Sequence, residues 1–255
     1  MAIQFLTALM TASIMTPLTQ PVKAEVIHLK ADKWCPYLCE PSSPKPGYAI
    51  ELAKIIFGRR GHEIKYQLME WKESLEQARE GKINGVVGSS AVQGRGLIYP
   101  IEPIGISVNI LLTRKGEHFT YNAPQSLQGR LLGVIAGYVY EPELDRYIAA
   151  KPEKIQTVSA DETALDQLLT LLMSRKLDVV AEDSNVAISK IRELKLNDQV
   201  EITHRFDEDP VFIGFSAALP TSTAYAQIWT EGMRAMRSSG ELLTILNRYG
   251  IPDWR

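Results

Sequence analysis

The stretch KINGVV at residues 82–87 has a counterpart in KLDVV at residues 176–180. Each stretch follows a segment with the apolar spacing of an amphipathic helix, and each enters a short apolar run with polar residues just beyond it. A helix that leads into a buried strand is the repeating unit of an α/β sheet. Two such units in one chain predict two lobes of similar build.

Strand and helix patterns alternate around the first of these stretches. Residues 26–31 and 63–69 have strand-like patterns, and the second alternates apolar and polar side chains. Between them, residues 49–57 carry apolar side chains at helical spacing and are followed by a glycine. Residues 72–80 predict a short helix before a buried strand at 85–88. This alternation predicts a sheet of largely parallel strands.

A second α/β series follows a boundary near residues 115–124. Strands are predicted at 107–114, 131–135, 178–181 and 211–216, and helices at 141–149, around 165–173, at 185–191 and over 221–246, the last divided near 238–240.

Composition indicates an ordinary globular protein. The 255 residues are 45% hydrophobic and 23% charged, with a formal net charge of −2, so nucleic acid and anionic membranes are not expected as partners. The sequence has no glycine-rich phosphate loop, no His-Glu-x-x-His and no Gly-x-Ser-x-Gly motif. We therefore expect a binding protein rather than an enzyme, without a cofactor or a bound metal.

Residues 1–24 resemble a secretory signal peptide. Residues 3–15 are mostly apolar and uncharged, and small residues near Ala24 suggest cleavage there. No lysine or arginine precedes the apolar run, so a disordered N-terminal tail is the alternative. The run is too short to span a bilayer. A periplasmic location of the mature chain is expected.

Two cysteines lie close together, at Cys35 and Cys39. In an oxidising compartment the simplest interpretation is a local disulfide, whereas two free thiols would be expected in the cytosol. Metal binding is a poor alternative, because two cysteines do not make a zinc site and the four histidines are scattered.

Several segments, taken in order, resemble the extracellular solute-binding protein family 3, the substrate-binding type of polar amino-acid ABC transporters. They are ADKWCPY at 31–37, GYAIELA at 47–53, the Glu70–Trp71 pair, GSS at 88–90 with Arg95 beyond it, GVIAG at 133–137, DVVAED at 178–183, GEL at 240–242 and RYG at 248–250. No single segment is specific, and the ordered set carries the resemblance.

The resemblance implies an α/β, two-lobed periplasmic-binding-protein type II fold with two crossovers between the lobes. Residues 25–114 and 211–255 would form the first lobe and residues 115–210 the second. A small polar molecule, an amino acid or a related compound, would be captured in the cleft by hinge closure. The chain would be a monomer that delivers this ligand to a membrane ABC permease. A periplasmic dehydratase on the same scaffold and a ligand-sensing module for a membrane receptor are the alternatives.

The resemblance also implies site residues at the carboxyl ends of strands. Arg95 would hold a carboxylate through its guanidinium, with Ser90 adding a hydrogen-bond donor. The alternative is that Arg95 is an ordinary solvent-exposed arginine in a loop. Asp183 would face an ammonium group, or cap the helix that follows it. Glu182 beside it would add negative charge or point outward.

Three aromatic residues complete the predicted site. Trp34 and Trp71 would sandwich the ligand or serve as packing, and Tyr138 would enter the cleft from the second lobe. The chain departs from the family pattern at Val92, at Gly137–Tyr138 and at YPIEP over 99–103, and these departures leave the ligand open.

Overall fold

The computed structural model describes residues 24–161 and 163–254. The predicted signal segment, apart from Ala24, lies outside the described residues. The strands are β1 (Val26–Ala31), β2 (Glu63–Leu68), β3 (Gly85–Ser89), β4 (Leu97–Ile98), β5 (Gly105–Arg114), β6 (Leu132–Ile135), β7 (Ile155–Val158), β8 (Val179–Asp183) and β9 (Val200–Ser216). The α-helices are α1 (Tyr48–Gly58), α2 (Trp71–Arg79), α3 (Pro142–Ala150), α4 (Ala164–Met173), α5 (Ser184–Glu193), α6 (Ser222–Ser239) and α7 (Glu241–Tyr249).

The strands form two sheets that share β9. In the first lobe the order is β2-β1-β3-β9, with β1 parallel to β2 and β3, and β4 pairs with the end of β9. In the second lobe the order is β9-β5-β8-β6-β7, with β6 parallel to β7 and β8. Strands β5 and β9 run antiparallel to each other and connect the two lobes. The predicted α/β fold of two lobes with two crossovers is confirmed, and the exact lobe boundaries stay a prediction.

Helices cover both sheets. Helices α1, α2, α6 and α7 pack in the first lobe, and α4 and α5 pack against the strands of the second. The apolar face of α1 includes Ile50, Leu52, Ile56 and Phe57, all of them buried. Each such side chain contributes about 1.5–3 kcal/mol relative to exposure. This burial fixes the helix that supports the loop between β1 and α1.

Glycine is required where that loop meets α1. Gly47 has φ 105°, and a Cβ atom there would lie 2.3 Å from the carbonyl oxygen of Tyr37. The amides of Tyr48 and Ala49 donate to the carbonyls of Pro36 and Tyr37, at 3.1 and 3.3 Å. The loop that carries Trp34 is therefore held directly on the first turn of α1.

The elements that the sequence pattern missed are short or lie in polar segments. Strand β4 has two residues, and β7 is a four-residue edge strand. Strand β9 begins at Val200, whereas the pattern predicted a strand only over 211–216. Its first part is half-exposed and pairs with β5, and there Val200, Ile202 and Phe206 alternate with polar residues, which is a weak strand signal. Within the described residues, no helix is long and apolar enough to cross a membrane.

Candidate functional site

A cavity lies between the two lobes and is lined by both. The first lobe contributes Asp32, Trp34, Trp71 and Ser90, and the second contributes Tyr138, Glu182 and Asp183, while Ser107, Asn109 and Asp209 come from the crossover strands. In this arrangement of the lobes the cavity has a volume of about 50 Å³, which is room for a few water molecules.

A tight loop after β1 presents the Trp34 indole. The amide of Trp34 donates to the carbonyl of Leu38 at 2.8 Å, and the amide of Leu38 donates back at 2.9 Å. The expected disulfide joins Cys35 and Cys39 within this loop. The Trp34 ring stacks on Tyr37, with centroids 4.1 Å apart and planes 15° from parallel. These contacts hold one wall of the cavity in place.

Hydrogen bonds cross from lobe to lobe at the cavity, where the Tyr37 hydroxyl of the first lobe donates to Asp183 Oδ2 at 3.5 Å and accepts from Asn185 Nδ2 at 2.7 Å. The Tyr138 hydroxyl donates to the Asp32 carboxylate at 2.5 Å. The Trp34 indole Nε1–H donates to Glu182 Oε1 at 3.3 Å. Each bond joins the end of a first-lobe strand or its loop to a residue of the second lobe. The lobes are therefore in direct contact around the cavity.

Asp183 links three parts of the chain. Its Oδ1 accepts from the amides of Asn185 and Val186, at 2.8 and 3.0 Å, and so caps α5. Its Oδ2 accepts from the Ser107 hydroxyl at 2.8 Å and from the Val108 amide at 3.2 Å. The predicted helix cap is confirmed, and it leaves this carboxylate already supplied with donors.

Burial changes the acidity of the carboxyl groups at the cavity. Removal from water raises the pKa of Asp32 to about 6, although the hydrogen bond from Tyr138 partly opposes this effect. Burial raises the pKa of Glu182 to about 8, and the nearby Asp183 and Asp32 charges act in the same direction. Burial also raises the pKa of Asp183. The Glu182 carboxyl therefore holds a proton at neutral pH.

Six of the seven predicted site residues line the cavity. They are Trp34, Trp71, Ser90, Tyr138, Glu182 and Asp183. All except Tyr138 are buried, and Tyr138 is half-buried. Their juxtaposition agrees with the sequence prediction, and their binding of a ligand stays a prediction.

Arg95 is the exception, because it is exposed and does not line the cavity. Residues 91–96 form a turn in which the Gly94 amide donates to the Ser90 carbonyl at 3.1 Å. The Arg79 guanidinium donates to the backbone carbonyls of Gln93 and Arg95, at 3.1 and 3.4 Å. The chain reverses here to begin β4, and it leaves the Arg95 side chain on the surface. The expected position of Arg95 at the cleft, where it would hold a ligand carboxylate, is therefore not found.

Several lining residues were not predicted. Asp32 follows β1 directly, so the rule that ligands collect at the carboxyl ends of strands already pointed to it. Asn109, Ser107 and Asp209 lie within the crossover strands, and only the pairing of β5 with β8 and β9 brings them to the cavity. Gln93 belongs to the turn before β4. No local pattern marks these four positions.

The cavity is acidic. Asp32, Glu182, Asp183 and Asp209 all line it, and within the described chain no lysine, arginine or histidine does. Among residues 24–161 and 163–254, no cluster of three or more His, Cys, Asp or Glu side chains has the arrangement of a metal site.

Comparison with known proteins gives a fold match without a sequence match. No protein-family model and no curated sequence matches this chain significantly. The fold is that of two-lobed periplasmic binding proteins, as three solved structures illustrate.

The first is a histidine kinase sensor domain with similarity to periplasmic binding proteins, at 18% identity over 91% of this chain and 99% of that chain, with a TM-score of 0.73. The second is an ancestral arginine-binding protein bound to arginine, at 18% identity over 88% and 98%, with a TM-score of 0.72. The third is an amino-acid ABC transporter substrate-binding protein from Streptococcus pneumoniae bound to L-arginine, at 18% identity over 89% and 94%, with a TM-score of 0.68.

Proposed function

We propose that this chain is a solute-binding protein that captures a small polar molecule, an amino acid or a related compound, between its two lobes. The observation that carries the proposal is a cavity whose walls come from both lobes and both crossovers. Aromatic faces from Trp34 and Trp71 would contact the body of the ligand, and acidic groups would bind its positive end. Two similar folds contain bound L-arginine or arginine, which supports this class of ligand.

The mechanism we propose is a shift between open and closed populations. A ligand that touches Trp34 on one lobe and Glu182 on the other favours the closed form over any form in which the lobes separate. Strands β5 and β9 are the connections about which the lobes would move. A membrane permease of the ABC type would then recognise the closed form and receive the ligand.

Export from the cytoplasm belongs to the same proposal. Residues 1–24 have the pattern of a cleaved signal segment, and the Cys35–Cys39 disulfide is typical of an oxidising compartment. Fractionation of cells that express the full chain should recover a protein that begins near Glu25 in the periplasm. Recovery of the uncleaved chain in the cytosol would remove this part of the proposal.

A second candidate function is ligand sensing, because a histidine kinase sensor domain has the same fold over most of this chain. The ligand-bound form would then act on a membrane receptor rather than a permease. Cells that lack the protein separate the two functions. Loss of labelled-ligand uptake supports import, whereas intact uptake with loss of a transcriptional response supports sensing.

A dehydratase would instead convert a cyclohexadienyl acid to product in a steady-state assay.

Ligand screening by thermal unfolding tests the binding function itself. At a hundredfold excess over its dissociation constant, a true ligand adds about 2.7 kcal/mol and raises the unfolding midpoint by several degrees. The Trp71→Ala variant should lose this response, because Trp71 lines the cavity. The matched control is Trp254→Ala, which removes an indole that lies outside the cavity. A ligand response that survives Trp71→Ala and disappears in Trp254→Ala would place the site elsewhere.

A further inference from the structure

The charge of the cavity is more one-sided than that of the chain. The formal net charge of the protein is only −2, yet four carboxyl groups line one cavity and no basic side chain of the described residues does. They come from different parts of the fold. Asp32 follows β1, Glu182 and Asp183 end β8, and Asp209 lies within β9. The acidity is therefore a property of the assembled cavity rather than of one acidic segment.

We infer that the cleft binds an organic cation that carries no carboxylate of its own, such as an amine, a guanidine or a quaternary ammonium compound. This inference rests on the proposed function of the cleft and specifies the chemical class of its ligand.

The buried Glu182 carboxyl provides the acceptor for such a cation. Its Oε1 accepts from the Trp34 indole at 3.3 Å and from the Asp183 amide at 2.7 Å. Its Oε2 accepts no hydrogen bond from the described residues, although the side chain is 1% exposed and lines the cavity. A hydrogen-bond donor or a positive charge on a ligand in the cavity would give this oxygen a partner. The aromatic residues Trp34, Trp71 and Tyr138 line the same space, and aromatic rings attract cations.

A ligand carboxylate would meet poor conditions in the same cavity. It would lie near Asp32, Asp183 and Asp209, and like charges at short range in a partly dry cavity repel strongly. Among the neutral donors, the Ser107 hydroxyl already donates to Asp183 and the Tyr138 hydroxyl already donates to Asp32. Arg95, the predicted guanidinium partner of a carboxylate, is exposed, and of the two predicted partners only Ser90 lines the cavity. Of two ligands that differ in whether they carry a carboxylate, the cavity should therefore bind the one without it more tightly.

Proton release is a measurable consequence. Burial raises the pKa of Glu182 to about 8, so a cation that pairs with the carboxylate must displace a proton when it binds near neutral pH. Affinity for a permanent cation should therefore weaken by up to about tenfold for each pH unit below about 8.

Other titratable groups surround Glu182. In the cavity they are Asp32, Tyr138, Asp183 and Asp209, with Tyr140 buried behind them, and in the adjoining hollow they are Lys33, Asp161, Asp166, Lys190 and Glu193. Lys190 is already paired with Asp166 and Glu193, at 3.1 Å each.

Calorimetry with matched ligand pairs tests the inference on the unmodified full protein. The pairs are agmatine with arginine, cadaverine with lysine, and choline with glycine betaine, measured at pH 8. Within at least one pair, the member that lacks the carboxylate should bind at least tenfold more tightly. Equal or tighter binding of every carboxylate-containing member would overturn the inference and leave the proposed function intact. Absence of binding by amines and by amino acids would overturn both.

Charge-neutralising variants locate the effect. Glu182→Gln should weaken binding of the preferred cation by about tenfold or more and should flatten its pH dependence, because the titrating acceptor is gone. Asp198→Asn removes an exposed acid from the turn before β9 and should leave both unchanged. If the glutamine variant does not fold, the ligand pairs still decide. An affinity for amino acids that disappears in Arg95→Ala would show that Arg95 binds a carboxylate, and the inference would be wrong.

Discussion

At the scale of single residues, the carboxyl groups of β8 have two different roles. Both carboxylate oxygens of Asp183 accept hydrogen bonds, one from the amides of α5 and the other from β5, so Asp183 holds the wall of the cavity together. Glu182 keeps one oxygen without a donor from the described chain and holds a proton near neutral pH. Asp183 therefore has a structural role, and Glu182 is the acid that we propose contacts the ligand.

Asp183→Ala should destabilise the protein by about 2–4 kcal/mol. The change removes a helix cap and several hydrogen bonds to a buried charge. Glu70→Ala is the matched control, because Glu70 caps α2 from an exposed position and accepts from Glu73 alone. That control should lose about 1 kcal/mol or less. Urea unfolding measures both, and equal losses would contradict the linking role of Asp183.

The Glu182 carboxyl should make stability fall as the pH rises. Its pKa is about 8 in the folded protein against an ordinary 4.5, so between these values the folded state holds more protons than the unfolded state. The contribution is fully present below about pH 4.5 and is lost as the pH rises through about 8. Glu182→Gln should therefore lose less stability between pH 5 and pH 8 than the unmodified protein. Thermal unfolding at both pH values measures the difference, which should be absent for the exposed control Glu193→Gln.

At the scale of elements, the start of α1 fixes the position of the Trp34 loop. Gly47→Ala should destabilise the protein by about 1–3 kcal/mol, since the backbone has φ 105° and the new Cβ would meet the Tyr37 carbonyl. Gly58→Ala is the control at the other end of the same helix, where no atom lies within 4 Å of an added Cβ. It should be neutral or stabilising by up to about 1 kcal/mol. Denaturant unfolding that ranks the two changes in the opposite order would refute this account.

Elements with their own apolar periodicity were predictable from the sequence. The pattern predicted β1 and α1 to within about one residue, because half of each surface is buried. The first half of β9 was missed because it pairs with one neighbour and buries little.

The same contrast holds for the site. Residues at strand ends, such as Glu182, follow from a general rule, whereas Asn109 and Asp209 reach the cavity only through long-range pairing. Arg95 lies outside the cavity because a local turn, which sequence spacing does not reveal, directs its side chain to the surface.

At the scale of the whole molecule, contacts between the lobes hold the cavity closed. Tyr138→Phe should open the ligand-free protein, because it deletes the hydrogen bond to Asp32 and keeps the ring. A hydrogen bond to a charged group contributes about 1.5–3 kcal/mol, which corresponds to a tenfold or larger shift toward open forms. Small-angle X-ray scattering should show a larger radius of gyration. Tyr147→Phe, whose hydroxyl donates to Leu127 within the second lobe, should leave the radius unchanged. An unchanged radius for Tyr138→Phe would mean that other contacts keep the lobes together.

Strand β9 has a consequence for how the protein comes apart. One end of β9 pairs with β3 and the other pairs with β5, so β9 is hydrogen-bonded in both lobes. Unfolding of either lobe would break the backbone hydrogen bonds that this shared strand makes there. Calorimetric melting should therefore give one cooperative peak whose van 't Hoff and calorimetric enthalpies agree. Two resolved peaks would mean that the two lobes unfold independently despite sharing β9.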